Sequence, residues 1–256
     1  MKILCIGDVV GRPGREALHR FLPSLVRDRG IDLVVANGEN SAGGAGITPE
    51  TARDMHKAGV DVITNGNHIW KFREIVPYLD ADERILRPLN FPDGTPGRGV
   101  LLHKSVAVVN LIGRVFMEPV ENPFTAVDAA LRSVEARIVI VDMHCEATSE
   151  KRAMGHFLDG RASIVFGTHT HVPTADEEVL SAGTAYVTDV GMTGPYDSVI
   201  GVAKANILER FQTNRPVAYT VADGDVRMYG LLVDVDDATG RARSVERLTQ
   251  RINPVS

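Results

Sequence analysis

The stretch "KILCIGDVVGRPG" (2–14) decides how the chain begins to fold. Its run "KILCI" (2–6) is mostly apolar and predicts a buried strand, whereas the following segment 14–28 has apolar residues three and four apart, which predicts a helix. The turn between them suggests a phosphate-binding loop. However, its glycines at 7, 11 and 14 lack the G-x-G-x-x-G spacing, and no G-K-[ST] closes it. Asp8 is then either a capping residue or a ligand, and the other strand ends decide between these two roles.

Along the rest of the chain, strand-like runs alternate with helix-like segments, and the later runs follow one another more closely. This order predicts an α/β protein with one mixed sheet or a sandwich of two mixed sheets, flanked by helices. Residues 234–248 are expected to form a hairpin turn and an edge strand. The predicted helices are 14–28, 48–59, 126–136 and 202–213, and the predicted strands are 2–6, 32–37, 60–64, 105–111, 137–143, 162–167, 184–190, 216–222 and 226–235.

The composition is that of an ordinary globular protein. Of the 256 residues, 44% are hydrophobic, and the formal net charge of −5 argues against a broad nucleic-acid-binding surface. No apolar stretch approaches the roughly 20 residues of a membrane span, and the N-terminus lacks a signal region, so a cytoplasmic protein is expected. The two cysteines, Cys5 and Cys145, lie in apolar runs and predict buried free thiols.

Polar side chains with metal-binding chemistry follow five of the predicted strands. Any one of them has a plain structural explanation, such as a turn residue or a buried histidine in the core. Together they would converge, because the carboxyl ends of strands in an open α/β sheet face one crevice. Carboxylates, amide oxygens and imidazoles suit manganese, iron or zinc, and the set exceeds the ligands of one tetrahedral ion, so two ions are expected. The residues are Asp8, Glu39, Asn40, Asn67, His68, His144, Glu146, His169 and His171.

Glu39 and the two histidines of the His-x-His pair predict how two ions would share the ligands. Ions about 3.5–4 Å apart need a bridging carboxylate, and Glu39 reaches further than Asp8. In an extended segment, residues two apart point to the same face, so His169 and His171 are expected to serve one ion each.

The motifs as a set resemble the calcineurin-like metallophosphoesterases, and in particular their YmdB-type branch. The resemblance runs along essentially the whole chain. It implies a β-sandwich of two mixed sheets flanked by helices, in a single domain over residues 1–256. Val10 stands where the wider superfamily has histidine, and Glu39 stands where it has aspartate. The motifs are "GDVVG" (7–11), "NGENSAGGAGIT" (37–48), "GNHIW" (66–70), "HCEATSEK" (144–151), "GTHTHVPTAD" (167–176) and "DVGMTGPYDSVIG" (189–201).

The resemblance also implies roles for these residues. Asp8, Glu39, Asn40 and His171 would surround one ion, with Asn40 replacing the missing histidine, and Glu39, Asn67, His144 and His169 would surround the other. His68 would be the catalytic general acid, protonating the leaving oxygen after a metal-bridging hydroxide attacks phosphorus. Iron is the expected metal, with manganese or zinc as alternatives. The expected substrate is a small phosphodiester such as a 2′,3′-cyclic nucleotide.

Some residues receive weaker assignments. Glu146 could orient a metal ligand, and Arg114 and the backbone of 191–196 could contact a substrate phosphate, whereas Cys145 is expected in the core. The segments around 71–100 and 112–130 are candidate lid elements, and association into a homo-oligomer stays open. His19, His56, His103 and His156 lie outside the strand-end pattern and receive no site role.

Three alternative functions remain. A monoesterase or 5′-nucleotidase would use the same metals, and a regulatory protein could keep the site as a sensor. A single-metal amidohydrolase or carbohydrate deacetylase is disfavoured, because the ligands come from five strand ends and include two asparagines.

Overall fold

The computed structural model describes residues 1–252, and its strands form two mixed sheets. The first sheet has the strand order β2-β11-β12-β1-β3-β4, with β13 paired to β12. Its strands are β1 (Lys2–Ile6), β2 (Asp8–Val9), β3 (Leu33–Asn37), β4 (Val62–Thr64), β11 (Met192–Pro195), β12 (Val226–Val235) and β13 (Ala242–Arg251).

The second sheet has the order β5-β6-β7-β8-β10-β9, with β6, β7, β8 and β10 parallel to one another. Its strands are β5 (Val100–His103), β6 (Val106–Ile112), β7 (Ile138–His144), β8 (Ile164–Thr168), β9 (Glu178–Val179) and β10 (Ala185–Val187). The helices are α1 (Gly11–Arg29), α2 (Pro49–Ala58), α3 (Ile75–Ala81), α4 (Pro123–Ser133), α5 (Thr148–Phe157) and α6 (Lys204–Thr213), and a short 3₁₀ helix spans Ile69–Lys71.

Three apolar clusters set the order of the layers. One cluster lies between the two sheets and joins β1 and β3 of the first sheet to β6, β7 and β8 of the second, through residues such as Cys5 and Ile140. A second cluster packs α1 and α2 on the outer face of the first sheet, and a third packs α4 and α5 on the outer face of the second. The predicted sandwich of two mixed sheets flanked by helices is therefore confirmed.

Local sequence signals explain most of the helix boundaries. Thr48 caps α2 by accepting a hydrogen bond from the Thr51 N–H, Pro49 occupies the first turn, and Gly59 ends the helix in the left-handed conformation. At the end of α1, Gly30 has a φ of 63° and also adopts this conformation. The prediction of helices at these two places is confirmed, although α1 begins three residues earlier than predicted.

The structure differs from the predicted elements in several places, and the helix Ile75–Ala81 and the strand Val100–His103 were among those not predicted. The strand predicted at 216–222 is wrong: apart from a single bridge between Val221 and Val202, this segment has no strand pairing and is largely exposed. The strand predicted at 184–190 is limited to Ala185–Val187. The strand Met192–Pro195 and the helix Thr148–Phe157 were not predicted, since the first contains glycine and proline and the second has no side-chain cap.

The two candidate lid segments differ in how they pack. In the first, 71–100, Ile75, Leu79 and Ile85 are fully buried in the cluster beneath α1 and α2. In the second, 112–130, Phe116 is 89% exposed. Over residues 1–252, no helix combines the length and apolar character needed to cross a bilayer.

Candidate metal centre

The predicted ligands come together where the strands of both sheets end. Asp8 follows β1, Glu39 and Asn40 follow β3, and Asn67 and His68 follow β4 in the first sheet. The second sheet supplies His144 at the end of β7, and His169 and His171 directly after β8. The segments converge closely: a Cβ on Gly66 would lie 2.1 Å from His144 Nε2, so this position has no room for a side chain.

Glu39 lies between the two sheets and contacts several of the other residues. Its Oε1 is 3.2 Å from His144 Nε2 and 3.1 Å from His68 Nδ1, and its Oε2 accepts a hydrogen bond of 3.0 Å from the His68 backbone N–H. The side chain is almost completely buried. A buried carboxylate at the centre of the set is the arrangement that a bridging ligand requires.

His144 Nε2 meets more partners than one proton can serve. It lies 3.2 Å from Glu39 Oε1, 3.2 Å from Asn67 Oδ1 and 3.0 Å from His169 Nδ1. Ligand atoms of Glu39, His144 and His169 all lie within 4.8 Å of one another, so this cluster could hold a metal ion. Oxygen and imidazole donors converging on one point fit a transition metal better than a hydrogen-bond network.

The other half of the site contains an unpaired carboxylate oxygen. Asp8 is fully buried, and its Oδ1 has no hydrogen-bond partner among the described residues. His171 Nε2 lies 3.7 Å from this oxygen and 3.0 Å from Asn40 Nδ2. A buried unpaired carboxylate oxygen is costly, and a cation held here would satisfy it. A cation on this side would have Asp8 Oδ1 and His171 Nε2 as possible ligand atoms.

Each of the three imidazoles is held through its second nitrogen. His171 Nδ1 donates to the Ile200 carbonyl at 2.8 Å, and His169 Nε2 lies 3.1 Å from Glu146 Oε2. The Thr168 hydroxyl donates to Asp142, so it accepts from His144 Nδ1 at 2.9 Å. These contacts leave His171 Nε2, His169 Nδ1 and His144 Nε2 facing the site, which is how metal-binding histidines are oriented.

Burial and neighbouring charges raise the pKa of one carboxyl and one imidazole of the site and lower the pKa of another of each kind. Burial raises the pKa of the Asp8 carboxyl, whereas His144 outweighs burial at Glu39 and holds that pKa well below its usual range. At His144 burial opposes the charged form, but Glu39 and Asp8 raise the pKa to about 9. Burial and the neighbouring His144 lower the pKa of His169 to about 3. These shifts show that the buried carboxylates and imidazoles of the site interact directly with one another.

A polar network under His144 was not predicted from the sequence. Asp142 is fully buried on β7 and accepts hydrogen bonds from the Thr168 hydroxyl at 2.7 Å, the Thr64 hydroxyl at 2.5 Å and Asn37 Nδ2 at 3.1 Å. The available signal was one aspartate inside the apolar run "RIVIVDM" (137–143), because a carboxylate in a buried strand needs polar partners.

A buried ion pair under the histidine turn was not predicted either. Lys151 Nζ lies 2.6 Å from Asp189 Oδ2, and each side chain is only 1% exposed. Asp189 also accepts from the Thr170 hydroxyl at 2.7 Å and from the Thr170 N–H at 3.2 Å. Thr170 lies between His169 and His171, which have φ values of 96° and 66°. Such conformations are strained for residues other than glycine, and the ion pair holds the turn that contains them.

The weaker assignments have mixed outcomes in the structure. Glu146 contacts His169, and Cys145 is buried in the cluster under α5, where burial raises its pKa to about 12. The backbone of 191–196 was expected to contact a substrate phosphate, but it is engaged in other hydrogen bonds. The strand β11 pairs with β2, and the Gly191 N–H donates to Asp189. Arg114 lies on the loop after β6, with its backbone N–H bonded to Glu150.

A helix-flanked sandwich of two mixed sheets, with carboxylate, amide and imidazole donors at the strand ends, defines the metallophosphoesterase class. Within this class, a family model described as YmdB-like protein matches residues 4–248. The chain belongs to the YmdB-like family, so the resemblance seen in the sequence is confirmed.

Known relatives cover almost the whole chain. It is 46% identical over 254 residues to a protein of Bacillus subtilis (strain 168) named 2′,3′-cyclic-nucleotide 2′-phosphodiesterase, covering 97% of this chain and 96% of the relative. A putative phosphatase/phosphodiesterase of Mycoplasma genitalium is 31% identical, covering 97% of this chain and 92% of the relative.

Two solved structures share this fold over almost the whole chain. A hypothetical protein from Thermus thermophilus superimposes with a TM-score of 0.93 at 44% identity, covering 98% of this chain and 99% of the other. A novel phosphatase of Mycoplasma pneumoniae also has a TM-score of 0.93, at 32% identity, covering 98% and 93%.

Proposed function

We propose that this chain is a dinuclear metal-dependent phosphodiesterase that acts on 2′,3′-cyclic nucleotides and uses His68 as its general acid. Its membership of the family and the name of the Bacillus subtilis relative support a phosphoric diester hydrolase. The finer features, namely two ions, their identity and the role of His68, rest on the site geometry and on the sequence. Iron is the proposed metal, with manganese or zinc as alternatives.

The proposed ligand sets follow the two halves of the site. Asp8, Asn40 and His171 would hold one ion, Asn67, His144 and His169 the other, and Glu39 would contact both. When bound, such a pair supplies positive charge to the phosphoryl oxygens and lowers the pKa of water to near neutrality.

The observation that carries the proposal is the position of His68. Its Nδ1 lies 2.9 Å from Asn40 Oδ1 and 3.1 Å from Glu39 Oε1, next to the proposed ligands, while its side chain remains 42% exposed. These contacts fix the ring through Nδ1 and leave Nε2 for proton transfer to a leaving oxygen. The exposed part of the ring is open to a substrate, as a general acid requires.

The test combines activity with a metal count. Wild-type protein loaded with Mn²⁺ or Fe²⁺ is expected to hydrolyse 2′,3′-cyclic AMP and bis(p-nitrophenyl) phosphate in preference to p-nitrophenyl phosphate and nucleoside monophosphates. His68→Ala should lower kcat by about 10²- to 10⁴-fold, the usual contribution of a general acid. Elemental analysis of the same variant should still find two metals per chain.

His156→Ala is the matched control, because His156 is exposed and lies on α5 outside the site. Its activity should equal that of the wild type. A His68→Ala protein that lost metal in proportion to activity would identify His68 as a ligand and contradict the proposed role.

A phosphomonoesterase is the second candidate. It is favoured by one observation, the word phosphatase in the name of the Mycoplasma genitalium relative. A preference for p-nitrophenyl phosphate in the same substrate panel would support this candidate over a diesterase.

A further inference from the structure

A cavity of about 370 Å³ opens beside the proposed metal centre. We propose that it binds the nucleoside part of a nucleotide whose phosphate lies at the metal centre, which rests on the proposed function. Its volume is within the range of small-ligand sites, roughly 300–1,000 Å³. The residues that carry the argument are Val10, Gly44, Lys71, Phe72, Ile200 and Tyr219.

Three residues of the cavity wall are close in sequence or hydrogen-bonded to residues of the proposed site. Val10 is two residues after Asp8, and the Ile200 carbonyl accepts the 2.8 Å hydrogen bond from His171 Nδ1. Lys71 lies one 3₁₀ turn after His68, and its backbone N–H donates to the His68 carbonyl at 3.0 Å. A ligand in the cavity would therefore lie next to the proposed phosphate position.

The wall offers the surfaces that a nucleobase and ribose need. Phe72 and Tyr219 provide aromatic rings, and most of the remaining wall is aliphatic or glycine. The Arg210 guanidinium lies 5.2 Å from the centre of the Tyr219 ring, which helps to fix the orientation of the ring. Aromatic rings bind bases by stacking, with little dependence on the identity of the base.

The charge of the wall suits a nucleotide. Lys71 is the one charged residue among the described residues that line the cavity, and no carboxylate lines it. A cation on the cavity wall would attract an anionic ligand, whereas a carboxylate would repel it. An otherwise uncharged, partly aromatic cavity with one lysine fits a nucleoside phosphate better than a peptide or a sugar phosphate.

The glycine-rich segment "GGAG" (43–46) shapes one wall of the cavity. A Cβ on Gly44 would lie 2.7 Å from the Val221 side chain, and one on Gly46 would lie 2.7 Å from the Phe72 ring. Both residues have φ values near 90°. The segment thus packs its backbone directly against the cavity wall, which gives a role to glycines that the proposed metal centre does not use.

The first experiment measures nucleoside binding without catalysis. Saturation-transfer NMR with adenosine on metal-depleted protein is expected to show binding to the wild type. Tyr219→Ala, at a half-exposed ring, should weaken this binding by about fivefold to a hundredfold, the usual effect of removing a stacking partner. Ala45→Trp should also abolish it by filling the cavity. Phe211→Ala, which removes an exposed ring outside the cavity, should bind as the wild type does.

The second experiment uses metal-loaded enzyme and compares two inhibitors of hydrolysis. Tyr219→Ala should weaken inhibition by 3′-AMP at least fivefold and leave inhibition by inorganic phosphate unchanged within twofold.

An absence of adenosine binding in the wild type, or equal binding in Tyr219→Ala, would overturn the cavity assignment. Loss of adenosine binding in Arg114→Ala would instead place the nucleoside in the separate cavity beside Arg114. Adenosine binding without diester hydrolysis would contradict the proposed function but would still support the assignment of the cavity as a nucleoside site.

Discussion

The proposed histidine ligands are held in two different ways. His144 ends the regular strand β7, whose pairing with β6 and β8 extends to this residue, and its ring is fixed by Thr168. His169 and His171 lie in a turn with positive φ values, held from below by Lys151 and Asp189. The sheet fixes the backbone of the first ligand, and hydrogen bonds orient its ring. The backbone of the second and third depends on a buried ion pair between residues distant in sequence.

A strained turn and a regular strand are therefore expected to fail in different ways. Left-handed conformations in residues with a side chain cost about 1–3 kcal/mol each and persist only where the surroundings determine them. A strand residue has no such cost, so loss of its supporting bonds should affect ring orientation more than folding. Three substitutions test this contrast.

The largest effect is expected from Lys151→Met. It leaves Asp189 buried without its cation, and breaking a buried ion pair in this way typically costs about 3–5 kcal/mol. The free energy of unfolding in urea should fall by this amount, and the Mn²⁺ content should fall with it. Lys57→Met on the exposed face of α2 is the control, with an expected change within about 0.5 kcal/mol. Equal stability of the two variants would refute the role of the ion pair.

A smaller effect is expected from Asp142→Asn on β7, in the polar network that orients His144. The amide keeps one acceptor oxygen and replaces the other by a donor, so the bonds from Thr168, Thr64 and Asn37 cannot all form. Thr168 would then hold His144 Nδ1 less firmly. Loss of such an orienting bond usually weakens metal affinity by about 10- to 100-fold, which calorimetric titration with Mn²⁺ would measure. Thr168→Ser keeps the hydroxyl and should retain the affinity. If Asp142→Asn destabilised the fold as much as Lys151→Met, the contrast between strand and turn would be wrong.

The smallest effect is expected from Glu146→Gln. The carboxylate contacts His169 Nε2 at 3.1 Å but is 49% exposed, so solvent weakens its interaction with the ring. Mn²⁺ affinity should fall by less than about tenfold, with no measurable change in unfolding. Glu135→Gln, at an exposed position away from the site, should leave both quantities unchanged. A loss of more than about a hundredfold would show that the turn depends on Glu146 as much as on the ion pair.

The sequence predicts the proposed ligands better than their supports. Asp8, Glu39 and His144 stand at the ends of apolar runs, and strand ends of one sheet meet in space, so the local pattern predicts that Asp8 and Glu39 converge. That His144 joins them depends on how the second sheet stacks on the first. Lys151 and Asp189 are 38 residues apart, and neither occurs in a pattern that points to the other. Asp142 faces the first sheet only because the two sheets stack, and a linear pattern does not contain that information.

The same limit explains the errors in the fold. The segment 216–222 has a strand-like composition, but Tyr219 is half-exposed and lines a cavity where no neighbouring strand extends the sheet. The strand Met192–Pro195 contains residues that strands avoid and forms because β2 and β12 lie on either side of it. In both cases tertiary neighbours outweigh local preference.

The polar bonds beneath the site also cross from one sheet to the other. Asn37 and Thr64 belong to the first sheet, and Asp142 to the second. Apolar packing is non-directional and tolerates sliding, whereas hydrogen bonds depend on distance and angle. These hydrogen bonds therefore resist sliding of one sheet over the other, because a shift by a single residue, about 3.3 Å, would break them all. A distant substitution that allowed the sheets to slip would misalign the proposed ligands of β3 and β4 with those of β7 and β8 without touching any of them.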